Sequence, residues 1–238
     1  MDRRNVPVRI LVSGLTAAGK STHCRLLAAH YEVPYISMRS IMATVLREQG
    51  LPGAEDEEWS PSVDEARAPR TEVDREADRR MLQRIHHGPG VFDAWALPWL
   101  YRKPDAVRVW IAADLPSRMQ RCRVSAAARD RSMPDDPAAL LRAKDKFSRA
   151  RFRSLYGFDL QPSPEVFDLI AENSGVLLEQ SEHFSLDIDR FHRELVVAID
   201  TVLEGGTHQR ASCSSITPSP AASATPPSWP LKVPKRWR

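Results

Sequence analysis

An α/β fold built on a five-stranded parallel sheet is what this sequence predicts, and three observations predict it. First, Gly14-Leu15-Thr16-Ala17-Ala18-Gly19-Lys20-Ser21-Thr22 reads G-x-x-x-x-G-K-[ST], a loop whose backbone N–H groups cradle phosphates. Second, that loop lies between an apolar, β-branched stretch and a helix-forming stretch, the context such a loop requires. Third, strand and helix signals alternate as far as residue 204 or so, the pattern of a parallel sheet covered on both faces in three layers.

The elements follow in order. Val8–Val12 is suited to a buried first strand, and Ser21–His30 to the helix after the loop. Val33–Ser37 reads as the second strand. Arg39–Gly50 reads as a helix, ended by Gly50 and Pro52. Residues 51–70 are acidic and carry prolines, so they read as an exposed loop. Thr71–His86 is a charged helix with Thr71 as its cap and Asp74 in the first turn. Gly90–Trp95 and Val107–Ala113 are the third and fourth strands. Leu115–Arg131 and Pro137–Tyr156 are two arginine-rich helices. Phe167–Ala171 is the fifth strand, and Phe184–Leu203 a closing amphipathic helix. Residues 206–238 are rich in Ser, Pro, Thr and Ala and cannot bury enough apolar surface to offset their ordering entropy, so a disordered tail is expected after a folded region of 1–205. That tail ends in the basic, aromatic run Lys232–Arg238, which reads as a solvated end.

The loop implies a nucleoside triphosphate. Gly14 and Gly19 permit unusual backbone angles and close approach to phosphate. The helix behind them aims its positive dipole end at the anion. Lys20 is placed to reach the β- and γ-phosphates, and Ser21 to put its hydroxyl on Mg²⁺. ATP and Mg²⁺ are therefore the expected cofactors.

Composition narrows the classes. Of 238 residues, 42% are hydrophobic and 27% charged, as in an ordinary globular protein. A net charge of +3 is too mild to argue for a nucleic-acid partner. Cys24, Cys122 and Cys213 are too far apart for metal spacing and odd in number, which suits idle thiols in a reducing compartment. No apolar run has transmembrane length, and the stretch behind Arg3 and Arg4 is too short for a signal peptide. A cytoplasmic protein with no membrane partner is expected.

Four segments resemble the nucleoside monophosphate kinases, and most closely the short-type cytidylate kinase family, over residues 8–175. They are the phosphate loop; Ile36-Ser37-Met38-Arg39-Ser40-Ile41; Val73-Asp74-Arg75-Glu76-Ala77-Asp78-Arg79-Arg80, which is similar to a D-x-x-x-D-R-R helix; and Arg149-Ala150-Arg151-Phe152 with Leu155-Tyr156-Gly157-Phe158-Asp159, which is similar to an R-Y…Y-G-x-D segment. The resemblance implies a helical substrate-binding insertion at about 38–88 and a helical lid at about 118–150. It also implies γ-phosphoryl transfer from ATP to CMP or dCMP. Lys20, Arg121, Arg149 and Arg151 would be the catalytic cations. Ser37, Arg39, Asp74, Arg79 and Asp93 would bind the acceptor, with Ser21 and Asp93 on the metal. A monomer acting on a small-molecule acceptor is expected.

Spacing independently suggests a basic lid: Arg118 and Arg121 share one helix face, and Arg142, Lys146, Arg149 and Arg153 recur at helical spacing on the next. The resemblance breaks at two places. Arginines that clamp the acceptor in the family fall on Ala43 and Trp95 here. Arg39 is a candidate replacement at the first, and Trp95 and Trp99 read either as stacking surfaces or as core. These breaks keep two alternatives open: a kinase for a non-nucleotide acceptor, and a regulatory protein that binds ATP without transfer.

Overall fold

The computed structural model describes residues 8–52, 64, 67–127, 136–175 and 183–205. Five strands, β1 (Arg9–Ser13), β2 (Tyr35–Ser37), β3 (Gly90–Asp93), β4 (Val107–Ala112) and β5 (Leu169–Glu172), form one sheet in the order β2-β3-β1-β4-β5. Every pairing is parallel. The expected α/β architecture is thus observed. The chain goes from β1 to one side of the sheet and then returns to the other, so β1 marks the switch point where ligands bind at the carboxyl ends of the strands.

Alternation along β1 divides the core. Ile10 and Val12 point to one face, where they meet Leu27 of α1 (Lys20–His30) and Leu195 and Ile199 of the last helix, α7 (His183–Leu203). Leu11 points to the other face with Phe92, under α2 (Met38–Glu48) and α3 (Thr71–His87). A third cluster packs α6 (Pro137–Tyr156) and the short α4 (Leu97–Leu100) on the β4–β5 half through Trp99, Trp110, Phe152 and Phe167. The remaining helix, α5 (Leu115–Ala127), packs beside α6. No helix among the described residues is long and apolar enough to cross a membrane.

Most boundaries fall within two residues of the sequence reading, and α6 matches it end to end. Its ends are chemically marked. Asp136 caps it by accepting from Ala139 N at 2.9 Å, Pro137 sits in the first turn, and Gly157 closes it at φ 73°. The α4 turn was not anticipated. The residues 206–238 expected to form a disordered tail lie outside the described residues, as do 128–131 at the end of the expected fourth helix.

Two expectations need correction. Thr71 is not the cap of α3: Arg70 occupies that position, and no side chain caps the helix. The 51–70 stretch is not wholly exposed either, because Asp64 and Arg67 are buried. The physical reason is pairing across the chain. Lys144 donates to both Asp64 oxygens at 2.6 and 2.8 Å, and Arg67 donates to Asp64 at 3.3 Å and to Asp74. Arg151 completes the cluster, donating to Asp74 from Nε at 2.8 Å and to the carbonyls of Arg67, Ala68 and Arg70. Those carbonyl bonds hold the turn into α3 in the place of a cap. On α6, Arg142, Lys146, Arg149 and Arg153 lie on the solvent side, whereas Lys144 and Arg151 are buried.

Under the phosphate loop, His23 of α1 is 2% exposed and packs 4.7 Å from the Phe191 ring, with His192 beyond at 6.2 Å. Burial pushes its imidazole down to about 3, and the nearby His192 and Arg121 charges push the same way.

Two predictions come from this packing. Arg151→Met leaves Asp74 short of a buried partner and frees three carbonyls, so urea unfolding should show a loss of about 3–5 kcal/mol. Unchanged stability accompanied by lost turnover would mean that Arg151 serves chemistry alone. His23 has a folded pKa below its unfolded one, so the stability it contributes is present above pH 6.5 and is lost as pH falls toward 3. The melting temperature of His23→Phe should therefore fall less than that of the wild type between pH 7 and pH 5, by about 4 °C or more.

Candidate functional site

The phosphate loop leaves β1 through a passage that only glycine permits. Gly14 has φ 147°, and a Cβ there would collide with the Ile111 carbonyl of β4. Gly19 has φ 96°, and a Cβ would stand 2.6 Å from the Asn173 amide nitrogen. Ala17 also adopts positive φ, at 61°, a conformation that costs a non-glycine residue about 1 kcal/mol. Loop closure is carried by Ala18 N donating to Leu15 O at 3.2 Å and by the Asn173 amide donating to Ala18 O at 3.0 Å.

Lys20 lies at the first turn of α1 and donates to Leu15 O at 2.8 Å, which folds its ammonium over the loop. Burial pushes this ammonium below its ordinary range against the pull of Asp93, and the like charges of Arg118 and Arg39 add to the effect. Ser21, one residue on, donates to Asp93 Oδ2 at 2.6 Å. Tyr35 donates to the same oxygen at 3.1 Å. Residues from α1, β2 and β3 thus converge on one carboxylate at the carboxyl edge of the sheet. Among the described residues no group of three or more His, Cys, Asp and Glu could hold a metal ion. A magnesium ion carried by phosphates requires less, since it takes one or two protein oxygens and fills its octahedron with phosphate and water. The Ser21 hydroxyl and Asp93 carboxylate are hard oxygen donors in contact, and they fit that requirement.

The expected lid cations divide into two groups. Arg118 and Arg121 do share a face of α5, and both donate to loop carbonyls. Arg118 reaches Thr16 O at 2.7 Å and grips Asp145 with two parallel bonds of 2.8 Å. Arg121 reaches Ala18 O at 3.5 Å and also Asn173 O, and burial pushes its guanidinium down to about 10. Arg149, by contrast, is exposed, with Nε 3.4 Å from Leu160 O.

The expected acceptor residues are similarly divided. Arg39 is exposed and close enough to act on Lys20, whereas Ser37 precedes α2 and is half-buried. Arg79 points outward and pairs with Glu76 at 2.7 Å. Asp74 is buried between Arg67 and Arg151. Asp78, in the same motif, is held by the Tyr156 hydroxyl at 2.8 Å and pushed up to about 7 by burial. Trp99 is a core residue stacked on Phe158 at 4.3 Å. Trp95 is partly buried at the edge of the same cluster, 6.2 Å from the Phe152 ring, with the Lys20 ammonium 5.9 Å and the Lys144 ammonium 5.0 Å from its ring centre.

Several contributors went unnoticed in the sequence: Tyr35, Asp64, Lys144, Asp145 and Asn173. Lys144 had a readable signal. It lies on the Leu141–Ser148–Leu155 face of α6, the face its apolar residues assign to the interior, where burial pushes its ammonium down to about 7 despite Asp64. Asp64 and Asn173 had none, because their partners are distant in sequence.

Comparison with known proteins agrees with this geometry. The family described as the cytidylate kinase-like family matches residues 9–175. A cytidylate kinase from Thermococcus kodakarensis is 27% identical over 161 residues, covering 68% of this chain and 77% of the relative. One from Pyrococcus furiosus is 27% identical over 165 residues, covering 69% and 79%. A crystal structure of an uncharacterized protein from Eubacterium ventriosum superposes with a TM-score of 0.52 at 14% identity, over 82% of this chain and 99% of that one, a likeness of fold. With the phosphate loop, the sheet order and a match spanning β1 to the end of β5, this chain belongs to the cytidylate kinase-like family.

Proposed function

We propose that this protein transfers the γ-phosphoryl group of ATP to a nucleoside monophosphate, with CMP or dCMP as the acceptor. One observation carries the reading: Lys20, Ser21 and Asp93 meet at the carboxyl edges of β1 and β3, next to a loop shaped for phosphates. Phosphoryl transfer asks little covalent chemistry of a protein. It asks for alignment, charge neutralisation and exclusion of water. Backbone N–H groups of the loop would bind the β-phosphate, and Lys20 would exchange the Leu15 carbonyl for phosphate oxygen. Ser21 and Asp93 would hold Mg²⁺, which supplies charge neutralisation of the transferred group. Arg118 and Arg121, already on the loop, would close over the donor.

In this reading α2 and α3 form the acceptor-side insertion at 38–88, and α5 and α6 the lid at 118–150. CMP is favoured because the relatives matched across most of the chain are named cytidylate kinases. A kinase for a non-nucleotide acceptor is the second reading, favoured by Ala43 and Trp95 at the family's arginine positions.

A coupled ADP-release assay with ATP and Mg²⁺ against CMP, dCMP, UMP, AMP and GMP tests the choice. CMP- or dCMP-dependent turnover is expected, and Lys20→Ala should lower it by about 10²–10³-fold with the fold intact. Turnover only with alcohols or sugars would install the second reading, and turnover indifferent to Lys20→Ala would refute both.

A further inference from the structure

Lys144 is a fully buried cation that the donor half of the site does not use. Its ammonium lies 5.0 Å from the centre of the Trp95 ring, and Lys20 lies 5.9 Å from the same centre. Both ammonium groups thus lie close to one indole. Trp95 stands where the resemblance puts an acceptor arginine, and Ala43 where it puts another. The acceptor side has lost two guanidinium groups, and an ammonium stands one ring away.

The seat of that ammonium is built for an anion. Asp64 accepts from Lys144 through both oxygens, at 2.6 and 2.8 Å, and from Arg67 at 3.3 Å. Two oxygens on one carbon, gripped in this way, present what two oxygens of a phosphate monoester would present. In low dielectric the same cations would hold a phosphate dianion more strongly than a singly charged carboxylate. Asp74 is not the exchangeable partner, because two guanidinium groups hold it.

We propose that Lys144 is the acceptor-phosphate cation of this enzyme and that Asp64 is its internal competitor, displaced when the phosphate monoester of the acceptor binds. The inference rests on the phosphoryl-transfer reading above. It makes Asp64 a brake on acceptor affinity, so deleting its charge improves binding of one substrate and leaves the other alone. A purely structural carboxylate would not do this.

The test is steady-state kinetics with CMP varied at saturating ATP, and the converse, for the wild type, Asp64→Asn, Lys144→Met and Lys144→Arg. Asp64→Asn should lower the KM for CMP by about threefold or more, with the KM for ATP within about twofold. Lys144→Met should raise the KM for CMP by about tenfold or more, and Lys144→Arg should recover part of that loss. A KM for CMP that rises or stays fixed in Asp64→Asn overturns the proposal. If that single variant does not fold, the double variant Asp64→Asn/Lys144→Gln removes both charges together. It should keep the KM for ATP and show the raised KM for CMP, and a wild-type KM for CMP there overturns the proposal equally. Wild-type turnover of CMP unaffected by these variants sinks this inference alone. A wild type that consumes no nucleoside monophosphate sinks the reading of function as well.

Discussion

A site that holds a polyanion must gather cations in a place from which water is excluded, and like charges in low dielectric repel strongly. The described part of the molecule is organised around that constraint. Each buried cation near the loop has an oxygen partner drawn from elsewhere in the chain. Lys20 takes the Leu15 carbonyl, Arg118 takes Asp145 and the Thr16 carbonyl, and Arg121 takes the carbonyls of Ala18 and Asn173. Lys144 takes Asp64, and Arg151 takes Asp74 with three carbonyls of the turn before α3. The charges that would serve phosphate therefore also tie α3, α5, α6 and the loop to one another. Breaking one of these pairs strands a buried charge, which is costlier than never having placed it there.

This arrangement makes α6 the hub. Its inward face carries buried Leu141, Phe152 and Leu155, of which Phe152 packs on the β4–β5 half of the sheet. Interleaved with them are Lys144, Asp145 and Arg151, which bind the insertion and α5. A helix that packs by hydrophobic contact along its length fixes the positions of the charges between those contacts. The α3 N-terminus shows the consequence. Lacking a capping side chain, it is held by a guanidinium from α6, and its first-turn Asp74 sits where both the helix dipole and two arginines favour a carboxylate.

How much of this was legible in the sequence depends on the range of the interaction. The phosphate loop, the strands and the main helices were legible because their signals are local: glycines at fixed spacing, β-branched runs, a proline and a glycine bracketing α6. On α6, charge periodicity and apolar periodicity mark different faces. Arg142, Lys146, Arg149 and Arg153 form a regular stripe, but Leu141, Phe152 and Leu155 assign the interior to the stripe that holds Lys144 and Arg151. Asp64 and Arg67 looked like parts of a solvated acidic loop because their partners lie some 80 residues away on another helix. Trp95 and Trp99 looked interchangeable four residues apart, yet β3 ends between the core and the site. One ring stacks on Phe158, and the other is left facing two lysines.

That difference bears on what the acceptor side can select. A guanidinium reads a phosphate through a planar fork, which fixes both distance and orientation, whereas an ammonium is a point charge with freely turning donors. With Ala43 and Trp95 in place of arginines, the acceptor phosphate would be held by charge more than by shape, and its orientation would have to come from the walls. The Trp95 indole, near the Lys20 and Lys144 ammonium groups, would be one such wall. Arg39, exposed on α2, is close enough to act on Lys20. An acceptor side built in this way would tolerate variation around the phosphate better than loss of the phosphate. Selection among acceptors would then fall to whatever lies over the indole rather than to the anion seat itself.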